Sequence, residues 1–121
     1  MRTGKSIRPH YKLEAWKESM ALVRKVYELT QSLPVSETYG LKAQMRRAAV
    51  SIPSNIAEGA ARTGAKEFAQ FLNIAKGSLS ELETQILIAK DLGHATEIGS
   101  ILEHTDRVSR LLAGLHKSAL R

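Results

Sequence analysis

Cysteine is absent from the 121 residues, which excludes disulfides, a thiolate zinc site and a cysteine nucleophile. Proline occurs three times and aromatic residues make up 5% of the chain. With few β-branched residues as well, the composition favours helix throughout. No apolar run approaches the roughly 20 residues of a membrane span. The opening segment "MRTGKSIRPH" is basic but lacks the apolar stretch of a signal peptide. The chain therefore reads as a soluble, cytoplasmic protein whose length suits one domain.

Recognisable catalytic patterns are missing too. Di-iron sites in helical bundles need inward-facing Glu-x-x-His pairs. The nearest sequence here is Asp91-Leu92-Gly93-His94, at a helix end. His10, His94, His104 and His116 are expected on the surface or in loops, so no metal or cofactor is expected. "GAARTGAK" lacks the adjacent Gly-Lys-Ser/Thr of a phosphate loop and follows a helix rather than a strand. Glu81 and Glu83 are two apart and cannot share one helix face. Arg47 and Glu58 have no nucleophile beside them and read as a salt bridge or rim. The expectation is a protein that is not an enzyme.

What is present is helical periodicity. Leu13, Trp16, Met20, Val23 and Tyr27 repeat at three and four residues and predict a helix over 13–33. A second stripe on that helix, Leu22, Val26, Leu29 and Leu33, widens its apolar arc to about half the cylinder. Either the helix is deeply buried or this stripe is an oligomer interface. Pro34 ends the helix, and Ser36 is the expected N-cap of the next, over 37–59. Its apolar line is Leu41, Met45, Ala48, Ile52 and Ile56. Thr63 is placed to cap a third helix over 65–92, whose Phe68, Leu72, Ala75, Leu79, Leu82, Ile86 and Ala89 form the apolar face. Gly93 is the expected C-terminal glycine. A fourth helix over 97–120 carries Ile98, Ile101, Thr105, Val108, Leu112, Leu115 and Ala119. Short connections make neighbours antiparallel, so the fold class is all-α: an up-down-up-down four-helix bundle over 12–121, preceded by a basic, disordered tail over 1–11.

The second helix contains an internal proline within "QMRRAAVSIPSNIAEG". Pro53 cannot donate to the Ala49 carbonyl, at an intrinsic cost of about 3 kcal/mol relative to alanine. Ser54, or a residue from another helix, is a candidate donor to that carbonyl. Ser51 and Asn55 flank the apolar line and, if partly buried, need hydrogen-bond partners. Gly77, in the middle of helix three, suggests close approach of another backbone, and Ser78 beside it lies at the edge of the apolar face. Asn55 and Ser78 are therefore expected to belong to one polar network joining helices two and three. The motif Arg47, Ser51, Pro53, Asn55, Glu58, Gly77 and Ser78 reads as structural.

"YGLKAQMRRAAVSIPSNIAEG" and "EFAQFLNIAKGSLSELETQI" resemble the signature of the four-helix bundle family encoded by intervening sequences of large-subunit ribosomal RNA genes. The accessory variability protein of diversity-generating retroelements is similar. The resemblance covers about 13–92, with helix four matching in pattern only. It implies a small homopentameric bundle without enzymatic activity. By likeness to the retroelement proteins, it also implies nucleic-acid binding and a reverse transcriptase partner. His94 stands where an aromatic residue is expected, and the basic tail lies outside the pattern.

The net charge of +6 permits a polyanionic partner. Lys17 and Arg24 on helix one, with Lys42 and Arg46 on helix two, form the candidate RNA- or DNA-binding surface. Trp16, Tyr27, Phe68 and Phe71 read as packing residues, which disfavours base stacking and leaves phosphate contact with little sequence readout. The alternative is a homo-oligomeric protein-interaction scaffold with no nucleic-acid ligand.

Overall fold

The computed structural model describes residues 8–121. Four helices account for most of them: α1 (Glu14–Gln31), α2 (Leu41–Ala60), α3 (Ala65–Asp91) and α4 (Gly99–Ala119). Helices adjacent in sequence pack against each other, α1 closes the square against α4, and diagonal helices make no backbone-level contact. The arrangement is the antiparallel four-helix bundle that the periodicity predicts.

The apolar lines become the core. Leu41, Met45, Ala48, Ile52 and Ile56 on α2 are all buried, as are Leu72, Ala75, Leu79, Leu82, Ile86 and Ala89 on α3. Ile98, Ile101, Thr105, Val108 and Leu112 continue it on and before α4. Helix α1 differs from expectation. Its second stripe, the candidate oligomer interface, lies inside the chain's own core, as in the deeply buried alternative: Leu22, Val26 and Leu33 are buried and Leu29 is half-buried against them. Met20 and Tyr27, from the stripe read as core, lie on the surface. A half-cylinder of apolar residues offers two adjacent faces of similar hydrophobicity, and the position of α2 and α4 selects between them.

The ends also depart from the sequence reading. Helix α2 begins at Leu41 rather than near 37, because Val35–Glu37 form a 3-10 turn. Glu37 Oε1 accepts from the Leu41 N–H at 3.1 Å, taking the role expected of Ser36. Gly64, rather than Thr63, occupies the N-cap of α3, with no side-chain cap. At the other end Gly93 adopts φ +79°. The Gly93 N–H reaches Lys90 O and the His94 N–H reaches Ala89 O, both at 2.9 Å. These two bonds are a Schellman ending, which needs the left-handed backbone that glycine tolerates. Of the expected disordered tail, residues 1–7 lie outside the described residues. Pro9–Lys12 form a 3-10 turn, with the His10 ring 5.0 Å from that of Trp16.

Candidate functional site

The polar motif forms around Pro53 as a side-chain chain between α2 and α3. Ser51 Oγ and Ser78 Oγ are 2.8 Å apart. Asn55 Nδ2 donates to Ser51 O at 2.8 Å and to Ser51 Oγ at 2.9 Å. Asn55 and Ser78 thus share one network, as expected, with the Ser51 hydroxyl as the link. Half-buried hydroxyls and carboxamides placed this way avoid the cost of lost hydration. Ser54 does not serve the carbonyl freed by Pro53. Its Oγ bonds Val50 O at 2.7 Å, the ordinary back-bond of a helical serine.

Close backbone approach occurs at a different glycine from the one expected. A Cβ on Gly77 would meet nothing within 4 Å, whereas one on Gly59 would lie 2.7 Å from Phe71 Cβ and 2.9 Å from Phe68 Cδ1. Helices α2 and α3 converge at the tight turn joining them, so Gly59 seats the two phenylalanines. Glu58 bridges to Arg62 at 3.1 Å, and Arg62 lies over the Phe71 ring at 5.0 Å. Arg47 is exposed and lines a polar cleft with Gln44, Ser51, Ser78 and Glu81.

The four cations proposed from sequence as one binding surface have separate roles. Arg46 Nε donates to Thr30 Oγ1 at 2.8 Å, Nη2 donates to Tyr27 O at 3.3 Å, and the guanidinium stacks 4.2 Å from the Tyr27 ring centroid. Thr30 is fully buried, and its hydroxyl donates to Val26 O at 2.7 Å. Arg46 therefore pins α2 to α1, and its donors point inward rather than at a ligand. Lys17 is 3.7 Å from Glu14. Arg24 is exposed and Lys42 half-buried, and neither has a carboxylate within bridging distance among the described residues.

Sequence reasoning also missed a buried polar contact between α1 and α4. His104, expected on the surface, is 9% exposed. Its Nε2 lies 2.9 Å from Glu18 Oε1, which is also 3.4 Å from Arg107 Nε. A carboxylate only accepts, so the contact places the proton on Nε2 in the neutral ring. His104 Nδ1 is buried with no partner. The signal was available: His104 adjoins Thr105 and lies three residues after Ile101 and four before Val108, at the edge of the apolar stripe. The contact ties α1 to α4. Gln85 is also buried: Nε2 reaches Glu81 Oε2 at 3.4 Å, while Oε1 has no partner.

Among the described residues no group of three His, Asp or Glu side chains is placed to hold a metal ion, and no helix is long and apolar enough to cross a membrane. Of the motif's polar groups, Ser51, Asn55 and Ser78 bond to one another, and their geometry is that of a helix-to-helix latch. No curated protein matches the chain significantly. The family model described as 23S rRNA-intervening sequence protein matches residues 11–114, covering all of α1, α2 and α3 and most of α4. With the four-helix bundle and the motif in place, the chain belongs to the 23S rRNA-intervening sequence protein family.

Proposed function

We propose that this chain is a non-catalytic, self-assembling bundle that binds RNA or DNA through phosphate contacts, acting as an accessory factor like the retroelement proteins it resembles. The observation that carries this reading is the surplus of cations: +6 on 121 residues, with Arg24, Lys42, Arg47, Lys66, Lys117 and Arg121 bridged to no carboxylate among the described residues. Such charges attract a polyanion without reading bases. A homopentamer, implied by the family resemblance, would multiply the charge fivefold and let weak patches act together. A reverse transcriptase partner belongs to the same reading.

The test is binding of labelled double-stranded DNA and a structured RNA across a salt series, with the oligomer mass measured in the same buffers. Affinity should fall log-linearly with salt. Reversing Arg24 and Lys42 together should reduce the slope by about 2, near 0.9 for each lost phosphate contact. Absence of binding at low salt, where charge contacts are strongest, overturns the nucleic-acid reading. The second reading is a homo-oligomeric interaction scaffold without a nucleic-acid ligand. The apolar groove between α1 and α2, lined by Trp16, Met20, Val23, Val50, Pro53 and Ala57, favours it.

A further inference from the structure

Among the apolar surfaces exposed on the described residues, two have charged borders of opposite sign. The first is the groove between α1 and α2, where Met20 is 39% and Val50 43% exposed. Lys17 and Arg24, three residues before and four after Met20, share its side of α1. The second surface is the C-terminal part of α3. Leu87, Ile88 and Leu92 are 47%, 41% and 54% exposed. Glu81, Glu83 and Asp91 are interspersed there with the single cation Lys90. Glu81 to Leu92 and Trp16 to Tyr27 are each eleven residues apart, a rise of about 16 Å along either helix.

We infer that the C-terminal part of α3 of one copy docks in the α1/α2 groove of a second copy, with Leu87, Ile88 and Leu92 in the groove and the α3 acids against Lys17 and Arg24. This rests on the self-assembly part of the proposed function and supplies its contact. Packing a helix into the furrow between two others is ordinary ridge-and-groove geometry. Like faces do not suit each other here: groove against groove would bring Lys17 and Arg24 together with their own copies. Groove and α3 end are different patches of one chain, so the contact is head-to-tail, and repetition closes into a ring when the rotation permits.

Sedimentation of the full chain and two surface variants tests this. Wild type should assemble. Met20→Asp, which spoils the groove, and Ile88→Asp, which spoils the α3 end, should each run at monomer mass where wild type is assembled. Mixed in equal amounts, the two variants should form a one-to-one dimer, because each retains the face the other needs. Dimer formation also requires that both are folded, and helical circular dichroism checks each alone. If wild type is assembled but either variant keeps its mass, or if the mixture stays monomeric, this contact is wrong while self-assembly stands. A wild type that is monomeric at hundreds of micromolar overturns both.

Discussion

Gly59 and Gly77 lie on neighbouring helices, yet similar substitutions should have opposite effects. Gly59→Ala puts a Cβ against Phe68 and Phe71 at less than 3 Å, so the turn between α2 and α3 must shift. A loss of about 1–3 kcal/mol is expected, as for overpacked sites. Gly77→Ala fills open space within a helix and should add about 0.5–1 kcal/mol. Urea denaturation midpoints of the two variants give the test, and equal signs would contradict the packing described. The Ser51 hydroxyl is a third residue-scale case. It links Asn55 to Ser78, and Ser51→Ala leaves both half-buried partners short of a bond. A loss of about 1–2 kcal/mol is expected, and Ser78→Ala should then cost less on top of Ser51→Ala than it does alone. Additive losses in that double-mutant cycle would mean that the two hydroxyls act independently.

Helix α2 is held to α1 by Arg46 and to α3 by the serine–asparagine latch. Removing Arg46 leaves the fully buried Thr30 hydroxyl without its incoming donor and uncovers the Tyr27 ring. Arg46→Ala should therefore destabilise by about 1–2 kcal/mol. Lys42→Ala, one turn earlier on the same helix, should fall within about 0.5 kcal/mol of wild type. Thermal melts separate these outcomes from a binding role, since a residue serving only a ligand would leave the melt unmoved. Between α1 and α4 the tie is His104 with Glu18. Glu18→Ala removes the acceptor of a buried ring nitrogen and should cost about 1–3 kcal/mol. Glu18→Gln should restore part of that, because its amide oxygen can still accept. Denaturant titration of the pair tests the contact, and Ala and Gln variants of equal stability would refute it.

For the whole molecule, one core spans all four helices, so truncating a central side chain should weaken the bundle as a unit. Leu82 has no exposed surface, and Leu82→Ala should cost about 2–5 kcal/mol with unchanged cooperativity. Circular dichroism and tryptophan fluorescence should report a single shared transition, the latter through Trp16. Two separate transitions would show that the helix pairs melt independently. The proposed nucleic-acid binding belongs to this scale too, since a net charge of +6 would act as a field rather than through one contact.

The sequence by itself determined the four helices, their antiparallel order and most of the core. Those follow from the spacing of apolar residues and the short connections, which are local properties of the chain. It also identified the Asn55–Ser78 network, because polar residues beside an apolar line need partners and the facing helix supplied one. Only the tertiary structure decided which half of the wide apolar arc on α1 is inside, which glycine is crowded, and whether Arg46 faces a ligand or Thr30. It also decided that His104 is buried. Each of those outcomes depends on where a second helix sits. Periodicity gives the phase of one helix, whereas burial and pairing arise between two.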